Sequence, residues 1–405
     1  MTQRSTGYRR TLTFVAVLAL AALWAFDGSV LSQSQMVPPK PQPIIIGAVV
    51  SLTGRDAAFG QECVAGLRLA IAEANAQGGS LDRLLELQVY DDQSNPIEAA
   101  KGVRTLVQKH HPVAIVGSNT SMVTSAAAVA AQEVGVPLIV PEATNPAITS
   151  IGNWIYRVCF VDPEMGGGLA SFAYSQLGLR KVAILQEEKH DYTLSLARQF
   201  AKRFAELGGE IVYRSEYGAD ETDFANDLKE IRKRQADAVF VSGFFREAGA
   251  VLKEAHAQKL SLTFLGGDGW ESDELFEAAG DAIDINSRIY IASHFSPDVK
   301  RSKVRGFVAN FTEREGRRPN TSSALGFDAG GVVIEAITQS QAPVPEGVRA
   351  ALLGVYHEGV TGRIDIDSTR NTTKKVIILQ ARPNRQFAFV KSVLGMTSGG
   401  TGSHP

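Results

Sequence analysis

The sequence predicts an α/β protein built as two doubly wound parallel-sheet lobes. Three observations carry that prediction. From residue 44 onward, short apolar runs alternate with longer helix-prone stretches, the order that makes parallel strands with helical crossovers. The alternation starts afresh near Met165, so the chain holds two such series with no close repeat between them. Polar loops follow several of the apolar runs, and loops after parallel strands share one sheet edge, where small ligands collect.

In the first series the apolar run at 44–50 is a buried strand. Val64, Leu67, Ile71 and Ala74 give the next helix one apolar face, and Gly78 and Gly79 stop it. Residues 84–90 form the second strand. Asp91 and Asp92 look like a pair for acid–base work, but neighbours on a strand point to opposite faces. With Ser94, Asn95 and Pro96 they read instead as cap signals for the following helix. The strand at 113–116 leads through Ser118, Asn119, Thr120 and Ser121 into an Ala-rich helix at 122–134, which Gly135 ends in the left-handed conformation. A strand at 138–140 and the loop at 141–146 complete a β-α-β unit. Its two loops bring the hydroxyls and backbone N–H groups of Ser121 and Thr144 to helix amino termini, a setting for a carboxylate. Ordinary cap or turn chemistry is the other reading of each residue. A strand at 154–158 closes the series.

The second series runs helix 169–178, strand 182–186, helix 194–207, strand 211–215, and a helix carrying Phe224, Leu228 and Ile231. Strand 238–241, helix 248–258, strand 263–265, a short helix near Leu275 and strand 289–292 follow. Helices at 299–315, 322–339 and 345–353 come next, then strands at 363–367, 376–380 and 386–390. The Gly/Ser-rich tail, 391–405, is expected to be disordered.

Apolar and charged fractions of 44% and 21%, with a net charge of −2, fit a globular chain and offer no basic stripe for nucleic acid. Cys63 and Cys159 lie far apart and read as two buried thiols, with one disulfide as the alternative in an exported chain. The histidines lack metal-ligand spacing, and Asp365, Asp367 and Thr369 lack the glycine and closing glutamate of a calcium loop. No phosphate loop or nucleophile elbow is present, so the sequence points to no cofactor, metal or catalytic residue. Arg9 and Arg10 precede an apolar run at 12–26, which reads as an export signal spanning 1–32 or an uncleaved anchor. A Pro-rich linker, 33–43, follows.

Taken in order, GAVVSLTGRDAAFG at 47–60, Gly78 with Gly79, Tyr90-Asp91-Asp92, PEATNP at 141–146, Arg157 with Asp162, and Asp223-Phe224 resemble the leucine/isoleucine/valine-binding type of periplasmic solute-binding protein. The resemblance runs from about residue 44 to about residue 390. It implies two lobes joined by a three-segment hinge, with 44–161 and 293–353 in the first lobe and 162–292 and 354–390 in the second. It also implies a ligand-binding role. The ligand's carboxylate would sit at Ser121 and Thr144, and the backbone of Glu142 and Ala143 would border its ammonium group. Phe59 would cover it from the first lobe. Tyr192, Phe244 and Asp268 would meet it from the second, Asp268 as the counter-charge.

Two departures from the family pattern stand out, Thr193 in place of the usual glycine and Phe244 in place of a tyrosine. Glu142, with Glu187, Glu188 and Asp191, further implies a ligand bearing an extra positive or amide group. The expected function is capture of an amino acid or similar zwitterion outside the cytoplasm and delivery to an ABC transporter permease, by a monomer without catalytic activity. A membrane-tethered sensor of the same fold is the alternative, and an α/β hydrolytic enzyme a remote one.

Overall fold

The computed structural model describes residues 41–395. The expected export segment and most of the linker lie outside the described residues. Among the described residues, no helix is long and apolar enough to cross a membrane.

The first sheet has five parallel strands, β1 (Ile44–Val50), β2 (Leu85–Asp91), β3 (Ala114–Gly117), β4 (Leu138–Val140) and β5 (Ile155–Arg157), in the order β2-β1-β3-β4-β5. β1 buries Ile44, Ile46, Ala48, Val49 and Val50, as a strand covered on both faces must. The crossovers are α1 (Ala57–Ala76), α2 (Pro96–His110), α3 (Ser121–Val134) and the short α4 (Ala147–Ser150). Gly135 ends α3 at φ 68° and donates its N–H to the Ala131 carbonyl, the left-handed stop that its position predicts. Asn95 alone caps α2, its side chain accepting from the N–H groups of Ile97 and Glu98. Asp91 and Asp92 do other work, a correction to the cap reading. Asp91 accepts from the backbone of Leu52, Thr53 and Gln93, and Asp92 from the Ser51 and Ser118 hydroxyls. They tie together the loops after β1, β2 and β3.

The second series supplies β6 (Lys181–Glu187), β7 (Glu210–Tyr217), β8 (Ala238–Ser242), β9 (Thr263–Gly266) and β10 (Arg288–Ser293). Its helices are α5 (Asp162–Ser175), α6 (Asp191–Glu206), α7 (Ala225–Lys233), α8 (Phe245–Ala257) and α9 (Asp273–Ala279). On α6, Tyr192, Leu196, Phe200 and Phe204 recur every four residues, and all are buried, the stripe of a helix docked on a sheet. The chain then forms α10 (Ser302–Glu315), α11 (Thr321–Ser340), α12 (Pro345–Leu352) and an antiparallel hairpin of β11 (Tyr356–Glu358) and β12 (Arg363–Asp365). Finally β13 (Lys375–Arg382) and β14 (Gln386–Leu394) return to the second sheet, whose seven strands run β14-β13-β10-β9-β8-β6-β7. β10 pairs antiparallel with β13, and β13 with β14.

Two expectations change. Residues 354–390 do not all join the second layer, because Val355, Ile364 and Ile366 around the hairpin pack into the core of the first. Residues 391–394 are not a disordered tail but the end of β14, held by pairing with β13 and by Val393 packing on the second core. Asp365, Asp367 and Thr369 read as a hairpin turn once a calcium loop is set aside. Asp367 does form a turn, accepting from the N–H groups of Thr369 and Asn371, but the flanking β12 and β13 lie in different sheets, so it joins two layers and closes no hairpin. Cys63 and Cys159 are free and buried, as the thiol reading expects.

α1 and α11 cross where each offers a glycine. A Cβ on Gly66 would strike the Ser323 carbonyl, and one on Gly326 the Cys63 carbonyl. Both obstacles are backbone, so the helices themselves would have to separate. Gly66→Ala is therefore expected to destabilise the fold by about 1–3 kcal/mol, read as a drop of a few degrees in melting temperature. An unchanged melting temperature would show that the crossing has slack.

Candidate functional site

The carboxyl ends of the two sheets face one another across a cavity of roughly 300 Å³ of empty space, lined by Phe59, Asn119, Thr120, Ser121, Glu142, Ala143, Thr144, Tyr192, Phe244, Asp268 and Gly269. All eight residues selected from the sequence are in this lining. Asn119, Thr120 and Gly269 were not selected, although the β3–α3 loop and the Gly-rich turn at 266–269 that carry them were legible.

From the first layer, α3 aims its amino terminus into the cavity. Thr120 stands at its N-cap without a side-chain cap bond, because its hydroxyl donates to Asp56. Ser121 is the first helical residue, and its Oγ accepts the Asn145 N–H at 3.3 Å. An accepting hydroxyl still has its own proton to donate, so Ser121 can give a hydrogen bond to an anion. The loop carrying Thr144 is fixed from behind by Arg157, a fully buried guanidinium that donates to the carbonyls of Ala143 (2.8 Å) and Asn145 (2.6 Å). Cys159 also points its thiol at the Ala143 carbonyl. That carbonyl is thus occupied, and Ala143 contributes shape rather than an acceptor.

From the second layer, Asp268 opens a one-turn 3₁₀ helix, Asp268–Trp270, after β9. The Tyr192 hydroxyl donates to Asp268 Oδ1 at 2.8 Å and accepts the Gly269 N–H. Burial, then Asp268, pushes the Tyr192 phenol well above its ordinary value, so it remains a donor. Phe244 packs on Tyr192 and His190, and Phe59 reaches across from α1 to both Phe244 and Phe245. The Thr193 side chain turns away from the cavity and donates to the carbonyls of Glu187 and His190. The place of the family glycine is filled by a loop brace.

Of the four acids expected around the cavity, only Glu142 is in its lining. Glu142 turns its carboxyl to the Ser322 hydroxyl (2.6 Å) and the Asn119 amide (3.0 Å). Glu187 pairs with Arg55, and Glu188 and Asp191 are exposed. The cavity therefore presents hydroxyls and a helix terminus on one wall, the carboxylate of Asp268 on the other, and aromatic rings between.

Burial pushes Glu142 up to about 8 and each of Asp162, Glu164 and Glu271 to about 7. The unfolded chain gives up these protons near pH 4 while the fold keeps them. Their contribution is therefore complete below pH 4 and is lost as pH rises through 7 and 8. His190 is held near 4 by burial, so its neutral ring adds no slope in the upper window. Melting temperature of the ligand-free protein should fall between about pH 6.5 and about pH 8, and Glu142→Gln should flatten the fall. A flat or rising profile would contradict the assignment.

Two parallel-sheet lobes meeting over a buried cavity define the class of bilobal ligand-binding protein. The chain belongs to the periplasmic binding protein family, whose model matches residues 43–386. It is 26% identical over 349 residues to Leu/Ile/Val-binding protein homolog 1 of Brucella abortus, covering 84% of this chain and 87% of that one. Among solved structures it is similar to the leucine-binding protein LivK of Thermotoga maritima, with 28% identity and a TM-score of 0.81 over 87% of this chain and 99% of the other. It is also similar to LivJ of Streptococcus pneumoniae, a branched-chain amino acid transporter substrate-binding protein in complex with isoleucine. There the identity is 29% and the TM-score 0.80, over 86% and 99% of the two chains.

Proposed function

We propose that this protein captures an amino acid with an apolar side chain, outside the cytoplasm, and delivers it to an ABC transporter permease, acting as a monomer and by binding alone. The observation that carries the reading is the division of the cavity. Ser121, Thr144 and the α3 terminus form an anion-accepting wall, and Asp268 faces them as the counter-charge. A zwitterion satisfies both walls, and charge-assisted hydrogen bonds to each end contribute roughly 1.5–3 kcal/mol apiece. Phe59, Tyr192, Phe244 and Ala143 suit an apolar side chain. Glu142 is engaged by Ser322 and Asn119 and pushed up to about 8 by burial, and Glu187 is paired with Arg55, so neither offers a free charge to a second cation on the ligand. The isoleucine held by the streptococcal relative supports the same class.

A thermal-shift screen of the twenty amino acids, followed by calorimetry on those that raise the melting temperature, tests the proposal. Leucine, isoleucine or valine should give the largest shifts. A screen in which none stabilises the protein, or only charged ones do, would count against it.

A further inference from the structure

His294 follows β10 and Asp268 follows β9, adjacent parallel strands of the second sheet. The imidazole is fully buried, stacked on Phe160 with ring centroids 3.6 Å apart, and its Nε2 lies 2.9 Å from Asp268 Oδ2. Its Nδ1 is buried and has no hydrogen-bond partner among the described residues. A proton on Nδ1 would make a buried orphan donor, while a proton on Nε2 has a carboxylate to meet. Asp268 and the Phe160 ring face the imidazole directly, and Lys374 and Arg157 are the nearby cations. Burial above all lowers the ring's affinity for a second proton, Asp268 opposes that, and the two cations reinforce it. The neutral Nε2–H form follows from the geometry.

We propose that His294 is a positioning residue for ligand capture. Its Nε2–H and the Tyr192 hydroxyl hold the two oxygens of Asp268, so the carboxylate presents its remaining lone pairs to the cavity before any ligand arrives. Tyr192 comes from the second layer, and His294 from the segment that leaves that layer after β10 and stacks on Phe160. A fixed counter-charge spares the ordering cost that a free carboxylate would meet on binding. The inference rests on the reading of Asp268 as the partner of a ligand ammonium group, and names the residue that makes the aspartate effective.

His294→Phe keeps a ring to stack on Phe160 and removes the donor, whereas His294→Gln restores an N–H on a chain of similar reach. With L-leucine as probe and calorimetry as readout, His294→Phe should weaken binding about fivefold, and His294→Gln should recover most of the loss. In an Asp268→Asn background His294→Phe should have no further effect. Binding of isocaproate, which lacks the amine, should be no weaker in His294→Phe than in the unaltered protein. Equal losses for both ligands, or no recovery with glutamine, would overturn the proposal. If the unaltered protein does not bind leucine, the functional reading is at fault, and the clamp is tested without ligand by imidazole nitrogen NMR. A neutral Nε2–H tautomer that responds to Asp268→Asn sustains it, and an Nδ1–H tautomer or no response sinks it.

Discussion

Asp268→Asn is expected to weaken binding of an amino acid roughly 10- to 150-fold, the equivalent of about 1.5–3 kcal/mol for one charge-assisted hydrogen bond. The change removes the negative charge facing the ammonium group and does further harm nearby. Asp268 now accepts from Tyr192 at one oxygen and lies 2.9 Å from His294 Nε2 at the other. An amide has a single oxygen, so it cannot accept from both donors as the carboxylate does, and either the His294 tautomer or the side chain itself must rearrange. That rearrangement disturbs the side chain that should meet the ligand. The fold itself should suffer little, because Asp268 is one of the negative charges that hold Glu142 and Glu271 in their protonated forms, and its loss relieves them. Calorimetry of the variant beside its melting temperature separates the two effects. A loss of affinity below threefold would remove Asp268 from the counter-charge role.

The wall opposite the aspartate was legible in the sequence for a physical reason, whereas Asp268 itself was implied only by the family resemblance. Parallel β-α-β order fixes which loops share an edge, so Ser121 and Thr144 meet once the strands at 113–116 and 138–140 are recognised, and β3 and β4 do pair. The apolar run at 44–50 coincides with β1, since a strand buried on both faces has no polar interruption to blur its ends. Side-chain direction was not legible. Glu142 finds Ser322 at a separation of 180 residues, and nothing local to either residue encodes that meeting. The β11–β12 hairpin was missed as a unit because Tyr356–Glu358 is too short and polar to read as a strand, and its allegiance to the first core depends on Val355, Ile364 and Ile366 finding a neighbour far back in the chain. His294 was passed over for a similar reason. Spacing along the chain tests a histidine only as a metal ligand, while the partner of His294 is a carboxylate in the turn after the adjacent strand.

Arg55 carries the second large prediction, and it too lay outside the sequence reading. From the loop after β1 its guanidinium reaches Glu187 at 3.4 Å and Glu247 at 3.2 Å, both in the second layer, and lies over the Phe244 ring. The Glu247 side chain is fully buried and the Glu187 side chain nearly so, whereas Arg55 keeps 27% of its surface in solvent. Arg55 meets Oε1 of each glutamate, Glu247 Oε1 also accepts the Asp220 N–H, and Oε2 of each has no hydrogen-bond partner among the described residues. Arg55→Met would leave two buried carboxylates facing each other when the lobes are together, a cost that falls on the ligand-holding form. Truncating one partner of a buried charge pair costs about 2–5 kcal/mol, and solvent around Arg55 reduces this to about 1–2 kcal/mol, roughly 5- to 30-fold in affinity. The loss should appear as faster ligand release more than slower capture, measurable by stopped-flow fluorescence, because the pair forms only as the layers meet. Adding Glu187→Gln and Glu247→Gln to Arg55→Met removes the stranded charges and should regain part of the affinity. If the triple variant binds no better than Arg55→Met, the loss came from the missing contact with Phe244 and not from unpaired carboxylates.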